Sequence, residues 1–341
     1  MTLNITVITP TLIVQVSDRR MVDARTGRLI DDEANKALVL HCADAVLTLT
    51  FAGIGKVGDV RTDLWLAESL QDAGAAELDS RHACAHIADA ASTWFRTFPS
   101  TVDKRHTFVV AGWCDRRQEA VSKCWRISNM PEGTWASGAQ TQDRFSVYPV
   151  PTSRHASRVV ATGLVEALNR KERKRLFASL RRRAETAEGI ELSGVEAIRR
   201  AASDATWSWG IGQNCTAVAL SPAREARGMY YGSAGAPRTY GPNVLWYYGG
   251  RNYLVADMDT LPSGNYAVGF GGGQTPIKLV VSSVATHLSP SPLSAQELVT
   301  GFKVRVVDAR HRTKDPIEST ALCQLIPMHG RQPAQLRGKS A

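Results

Sequence analysis

The period of the hydrophobic pattern changes along the chain, and this change limits the fold more than any other feature. Some segments alternate apolar and polar side chains, as half-buried strands do, and others repeat every three to four residues, as amphipathic helices do. Strands are predicted at 3–7, 12–16, 36–41, 46–51, 107–113, 120–127, 145–150 and 215–220. Helices are predicted at 60–73, 80–98, 164–186 and 194–203. This order of strands and helices predicts an α+β domain over residues 1–220.

The last third of the sequence has a different composition. Residues 221–288 are rich in glycine and aromatic side chains, which predicts a β-rich extension packed on the first domain. A Ser-Pro-Ser-Pro stretch at 289–292 is typical of a linker, and a helix and a strand are predicted within 289–327. The basic tail, 328–341, is predicted to be disordered.

Composition excludes several classes of protein. Hydrophobic residues make up 43% of the chain and charged residues 21%, which is typical of a globular protein. The first residues lack the basic start and continuous apolar core of a signal peptide, and no window is apolar enough to span a membrane. The six cysteines contain no C-x-x-C pair, so neither a zinc site nor a disulfide framework is indicated. We therefore expect a cytoplasmic protein with no membrane partner.

The net charge of +9 raises the question of a nucleic-acid partner. Basic residues are concentrated at 170–183 and 301–341. A solvated helix face with a basic tail is the favoured interpretation, so nucleic acid is not an expected partner. Binding through the helix and tail would appear as retention on heparin that falls with salt.

Thr2 is the first candidate for chemistry. A threonine hydroxyl is a poor nucleophile until a base removes its proton, and an adjacent α-amino group, with an ordinary pKa of about 7.7–8.0, can do so. That arrangement needs threonine as the first residue of the mature chain. The sequence Met1-Thr2 allows it, because methionine is commonly removed before a small residue.

Three further residues complete a candidate site. Lys36 and Asp18 stand at adjoining ends of neighbouring predicted strands, where an ammonium held by a carboxylate would keep the amine of Thr2 neutral. Gly53 lies at a predicted strand-to-helix corner, where backbone N–H groups can stabilise an oxyanion.

These residues resemble the start of proteasome β-subunits and related bacterial protease rings, which are N-terminal nucleophile (Ntn) hydrolases. In that family the mature chain begins with Thr, and the pattern Asp, any residue, Arg follows at the offset found here for Asp18 and Arg20. Lys36 takes the place of the lysine that opens the third strand, two residues later than the usual spacing. Phe51-Ala52-Gly53 matches the corner before the first long helix. The resemblance covers about residues 2–220 and is specific over the first seventy.

The resemblance implies a four-layer αββα sandwich, Ntn hydrolase or proteasome-like, with the C-terminal β-rich extension added to it. It further implies supporting roles for Arg20, for Thr162 in Thr162-Gly163, and for Ser208 as a stand-in for the family's later serine. Assembly of identical chains into a dimer or ring is implied as well.

The predicted activity is that of a threonine-type amide hydrolase, a peptidase or amidase, which forms an acyl-enzyme on Thr2 after Met1 is removed. The substrate would be a peptide or a small amide, and no cofactor is needed. The alternative is a non-catalytic subunit of the same fold that serves assembly or partner binding. No metal site is predicted, because His82 and His86 lie one helical turn apart without an acidic ligand pattern after them.

Overall fold

The computed structural model describes most of the chain up to residue 239 and five strands beyond it. The described residues are 2–23, 26–58, 60–99, 102–116, 119–131, 140–153, 155–183, 186–223, 225–234, 237–239, 243–248, 251–256, 264–269, 278–283 and 305–308. No helix among these residues is both long and apolar enough to cross a membrane.

Twenty strands and four α-helices are formed by the described residues. The strands are β1 Leu3–Ile8, β2 Ile13–Asp18, β3 Met21–Val22, β4 Leu29–Asp31, β5 Leu38–His41, β6 Ala45–Ala52, β7 Lys56–Val57, β8 Val60–Arg61, β9 Thr107–Arg116, β10 Glu119–Ser128, β11 Ser146–Pro149, β12 Arg158–Gly163, β13 Cys215–Leu220, β14 Ala226–Tyr231, β15 Arg238–Thr239, β16 Asn243–Tyr248, β17 Arg251–Ala256, β18 Gly264–Gly269, β19 Lys278–Ser283 and β20 Arg305–Asp308. The helices are α1 Thr62–Asp72, α2 Ser80–Arg96, α3 Arg170–Arg183 and α4 Ala187–Ala202.

Sixteen of the strands form two eight-stranded sheets, and the other four form two small antiparallel pairs, β3-β4 and β7-β8. The first sheet has the order β12-β1-β2-β13-β14-β18-β19, with β15 also paired to β14, and all of its pairs are antiparallel. The second has the order β11-β10-β9-β6-β5-β16-β17-β20, in which only the β5–β16 pair is parallel. Strand β1 therefore lies inside the first sheet, between β12 and β2, so the start of the chain is fixed on both sides.

The hydrophobic side chains form three main clusters. One cluster joins the second sheet to α1 and α2, with Phe51 and Phe95 among its members. Another joins the first sheet to α3 and α4, with Ile5 and Ile198 among its members. The third contains residues of both sheets, such as Ile13 and Val109. Each sheet is therefore apolar on two faces: one faces a pair of helices and the other faces the opposite sheet.

Polar side chains interrupt the layer between the sheets. Gln15 of the first sheet donates from Nε2 to the Val109 carbonyl, 3.1 Å away, and accepts the Thr48 hydroxyl at 3.0 Å. Its other neighbours in this layer include polar side chains that are fully buried and bond to no other described residue: Asn4, Thr6, Thr50, Thr162 and Thr216. Strand alternation explains their direction, because Leu3, Ile5 and Val7 pack towards the helices.

The predicted element order is confirmed over the first two thirds of the chain, with some different boundaries. The single predicted helix at 164–186 is a 3₁₀ turn, Val165–Ala167, followed by α3. Helix α4 begins seven residues before its prediction, because the Thr186 side chain accepts the Gly189 N–H and caps it. Strands β3, β4, β7, β8 and β12 were not predicted from the sequence.

Strands from the predicted extension lengthen both sheets. Strand β14 pairs with β13 in the first sheet, and β16 pairs with β5 in the second. The division into domains at 1–220, 221–288 and 289–327 remains a prediction. Strand β20 overlaps the strand predicted near 303–307, whereas the predicted helix at 295–300 and the tail 328–341 lie outside the described residues.

Candidate functional site

Three predicted residues, Thr2, Asp18 and Lys36, come together at one end of the first sheet. Thr2 directly precedes β1, and its carbonyl accepts the Leu164 N–H at 2.9 Å. Asp18 is the last residue of β2, the neighbour of β1, and Lys36 precedes β5 of the second sheet. All three are buried, with exposed fractions of 2% or less.

The ammonium of Lys36 is the centre of this cluster. Its Nζ lies 2.6 Å from the Thr2 hydroxyl oxygen and 3.4 Å from Asp18 Oδ1, and it also donates to the Arg20 carbonyl. A lysine has three donors, so these contacts use its full hydrogen-bonding capacity. The amine is therefore held in one orientation against the hydroxyl.

Burial and charge act in opposite directions on Lys36. Removal from water lowers the pKa of Lys36 below its ordinary value, while the charge and hydrogen bond of Asp18 raise it. Burial is the larger effect, so the pKa is lowered overall. The carboxylate of Asp18 therefore offsets part of the cost of burying the lysine charge.

Asp18 is fixed by three backbone donors. Its carboxylate accepts the Leu3 N–H at 2.8 Å, the Arg20 N–H at 2.9 Å and the Gly212 N–H at 3.3 Å. Charge-assisted bonds of this kind compensate a buried carboxylate for its lost hydration. The carboxylate thus connects β1, β2 and the turn before β13 to the lysine.

Arg20 links the site to two neighbouring segments. Its guanidinium makes a bidentate pair with Asp32, with Nε–Oδ1 and Nη2–Oδ2 distances of 2.6 Å and 2.9 Å. It also donates to the Ser208 carbonyl. Asp32 stands four residues before Lys36, so this pair holds the loop that carries the lysine.

Ser208 contributes its backbone to this network. Its hydroxyl donates to the Ala205 carbonyl at 3.4 Å, and its carbonyl accepts the bond from Arg20. Among the described residues, the Ser208 hydroxyl makes no bond to Thr2. The predicted stand-in role for its side chain remains a prediction that no contact supports.

Thr162 and Gly163 lie beside Thr2 through the pairing of β12 with β1. Gly163 is opposite Leu3 and has a φ of +88°. A Cβ on Gly163 would overlap the Thr2 carbonyl and lie 3.1 Å from the Cβ of Ala52. Glycine is therefore required at this position both for its backbone conformation and for its small size.

Gly53 forms the corner that was predicted to hold an oxyanion. Its φ is +126°, and a Cβ there would lie 2.7 Å from His106 Nδ1. The same His106 nitrogen accepts the Ile54 N–H at 3.1 Å. Because Ala52 neighbours Gly163, the corner lies near Thr2, although no described hydrogen bond joins Gly53 to Thr2.

Several residues of the site have no local motif in the sequence. Asp32 is one acid of the run Asp31-Asp32-Glu33, His106 is an isolated histidine before β9, and Gly212 is one of many glycines. The acidic run beside a candidate lysine is a usable signal for Asp32. The other two depend on contacts between segments more than fifty residues apart in the chain.

No group of three or more histidine, cysteine, aspartate or glutamate residues in the described part of the chain could hold a metal ion. His82 contacts Asp79, and His86 contacts Ser69. The five described cysteines are free and buried.

The sequence matches no protein-family model and no curated protein. Similar solved structures include Anbu (ancestral beta-subunit) from Yersinia bercovieri, with 9% identity and a TM-score of 0.42 over 64% of this chain and 81% of that one. The helical assembly of the Anbu complex from Pseudomonas aeruginosa has 13% identity and a TM-score of 0.43 over 70% and 85%. An Anbu (Gly-1) mutant from Hyphomicrobium sp. strain MC1 has 12% identity and a TM-score of 0.40 over 65% and 83%. These similarities are too weak to carry a functional inference.

Proposed function

We propose that the chain is a threonine-type amide hydrolase of the proteasome-like Ntn class, with Thr2 as nucleophile once Met1 is removed. The observation that carries the proposal is the 2.6 Å contact between the buried Lys36 amine and the Thr2 hydroxyl, with Asp18 behind the amine. A fully buried lysine is costly and is uncommon unless it serves a purpose.

The chemistry is an acyl transfer in two stages. The free α-amino group of Thr2 takes the proton of the Thr2 hydroxyl as the oxygen attacks the substrate carbonyl. The C–N bond of the substrate then breaks, the leaving amine takes the proton, and an ester forms on Thr2. Water attacks that ester by the same route, giving the free acid and the original hydroxyl.

Each remaining residue has one role in this proposal. Lys36 keeps the α-amino group neutral by its charge, and Asp18 orients Lys36. The Gly53 N–H donates to the oxyanion that forms on the substrate carbonyl. Arg20 holds the lysine loop through Asp32, and Thr162 offers a buried hydroxyl beside β1.

The proposed architecture is the four-layer αββα sandwich of this class. It is supported by the two helix pairs, each packed on its own sheet, and by the third apolar cluster between the sheets. The substrate would be a peptide or small amide, and assembly of identical chains into a dimer or ring is part of the same proposal. The strands after residue 220 would modify that assembly.

The experiment is a covalent trap combined with mass spectrometry of the intact chain. A peptide epoxyketone bonds to both the hydroxyl and the α-amine of an N-terminal threonine, so it reports the free amine and the nucleophile together. We expect loss of Met1 and an adduct that peptide mapping places on Thr2. Thr2→Ala should abolish the adduct, and Lys36→Met should slow its formation by at least about a hundredfold.

Thr93→Ala is the matched control, because Thr93 is an exposed threonine of α2. It should react as the parent does. If Met1 is retained, or if the parent forms no adduct, the hydrolase proposal fails and the non-catalytic subunit becomes the better interpretation.

A further inference from the structure

Helix α3 has a charge unlike that of the other described helices. It contains eight lysine and arginine residues and one glutamate, a local net charge of +7 against +9 for the whole chain. Helix α4 contains three acids and two arginines, and α1 contains three acids and no basic residue. Solvated helix faces usually mix both signs, as α4 does.

The cations of α3 face outward and few of them are neutralised. Leu176 and Leu180 are buried against the core, so the opposite face carries most of the charge. Within the described part of the chain, only Arg175 and Arg183 of α3 form ion pairs, with Glu172 and Glu196. Among the described residues, six exposed cations of α3 form no ion pair: Arg170, Lys171, Arg173, Lys174, Arg181 and Arg182.

An exposed aromatic side chain lies within this cationic surface. Phe177 is 48% exposed and stands three residues after Lys174 and four before Arg181, so all three lie on adjoining turns. An exposed aromatic side chain among cations that form no ion pair fits a ligand that carries both anionic groups and planar aromatic rings. Bases stack on such side chains while cations contact the phosphates.

We propose that the outer face of α3 binds single-stranded nucleic acid. The 14-residue helix spans about 21 Å, which is long enough to follow several consecutive phosphates. A membrane surface fits less well, because Leu176 and Leu180 are packed in the core and Phe177 is the single large apolar side chain that α3 leaves for insertion into lipid. The surface is separate from the Thr2 site, so the proposal does not depend on the proposed hydrolase.

The test is fluorescence anisotropy of a labelled 20-nucleotide oligo(dT) with the full chain, from 50 to 300 mM salt. We expect log K to fall linearly with log salt, by about 0.7 per phosphate contact. The charge-swapped variant Lys174→Glu/Arg181→Glu should bind at least about tenfold more weakly at 100 mM salt, with a slope smaller by about 1.4. Phe177→Ser should weaken binding several-fold with no change in slope, because it removes stacking only.

The matched control is Arg28→Glu/Arg81→Glu, which changes the net charge equally at two exposed arginines away from α3. It should change the affinity less than twofold. Lys174→Gln/Arg181→Gln replaces the swap if circular dichroism shows that the swap unfolds the protein. The proposal is overturned if the parent does not bind oligo(dT), if the control loses as much affinity as the α3 variant, or if the parent binds only vesicles of phosphatidylserine and phosphatidylcholine.

Discussion

Gly163 lies where the backbone of β12 passes closest to Thr2. Its left-handed φ and the lack of room for a Cβ are independent reasons for glycine, and only the second involves the site. Gly58 separates the two effects, because its φ is +57° and nothing lies within 4 Å of its Cβ position. A comparison of alanine substitutions at Gly163 and Gly58 therefore separates the cost of the overlap with Thr2 from the cost of the backbone conformation.

We predict that Gly163→Ala lowers the free energy of unfolding by at least about 3 kcal/mol, from strain and overlap together. Gly58→Ala should cost about 1 kcal/mol, the strain alone. Urea unfolding of both variants measures the difference. Equal losses would mean that β12 moves freely away from Thr2.

His106 supports the corner at Gly53 and is fully buried beside the site. Burial lowers the pKa of His106 to about 3, and its ring stacks on Phe51 with centroids 5.5 Å apart. Its ordinary pKa of 6.5 applies to the unfolded chain. Between these values the unfolded state binds a proton that the folded state does not, so stability falls as the pH falls from 6.5 towards 3.

We predict that His106→Asn removes this acid-dependent loss while keeping an acceptor for the Ile54 N–H. The variant should be less stable than the parent at pH 7, because it loses ring packing. Between pH 7 and pH 4.5 the difference in free energy of unfolding between the parent and the variant should shrink by roughly 2–3 kcal/mol, because the parent loses about 1.4 kcal/mol per pH unit below 6.5. Denaturant unfolding at four pH values measures this change. If the stabilities of the parent and the variant depend on pH in the same way, His106 is not the source of the acid-dependent loss.

At the scale of elements, the loop between β4 and β5 decides where Lys36 lies. The acids at its start are each held by an arginine from another segment: Asp31, the last residue of β4, by Arg61 at 3.6 Å, Asp32 by Arg20, and Glu33 by Arg19 at 2.9 Å. A loop without internal hydrogen-bond ladders gains a fixed shape from such external contacts. These contacts therefore hold the segment that carries Lys36.

We predict that Asp32→Asn slows adduct formation at Thr2 by about tenfold to a hundredfold, because the amide cannot accept both N–H bonds of Arg20 and the loop loses its register. Stability should fall by less than about 1 kcal/mol, since the pair is partly exposed. Two quantities are measured: the rate of adduct formation at saturating epoxyketone, and the epoxyketone concentration that gives half of that rate. Comparing the two reports how well Lys36 is positioned against Thr2. Asp31→Asn is the neighbouring control and should react within twofold of the parent.

The elements differ in how far the sequence could predict them. Periodicity predicted β1, β2, α1 and α2 because each has one buried and one solvated face, or a continuous buried run. It could not predict β12, a short strand that needs β1 as its partner, or the start of α4, which depends on the Thr186 cap. Lys36 and Asp18 were predicted because the proposed chemistry requires these residue types, whereas His106 and Gly212 act through contacts that local pattern does not encode.

At the scale of the whole molecule, the contact between the two sheets determines whether the site exists, because Thr2 and Asp18 come from one sheet and Lys36 leads into the other. Apolar residues fill one part of this layer, while buried hydroxyls and the Asn4 amide occupy the part near Thr2. Gln15 contacts the opposite sheet through both its amide nitrogen and its oxygen. Trp113 also joins the two sheets, through a bond from its Nε1 to the Leu220 carbonyl at 3.2 Å, but Gln15 is the side chain that bonds to the opposite sheet as both donor and acceptor.

We predict strong coupling between Gln15 and Thr48 in a double-mutant cycle. Gln15→Leu should destabilise the fold by about 1–3 kcal/mol, because it leaves the buried Val109 carbonyl and Thr48 hydroxyl without this partner. Thr48→Val alone should cost about 1 kcal/mol, and the double variant should be more stable than the sum of the two losses implies, by at least about 0.5 kcal/mol. Urea unfolding gives the cycle, and hydrogen exchange of β1 and β6 shows whether both sheets loosen together. The prediction is contradicted if the two losses of stability are additive and hydrogen exchange is faster in one sheet only. In that case apolar contacts hold the sheets in register, and the position of Lys36 against Thr2 does not depend on Gln15.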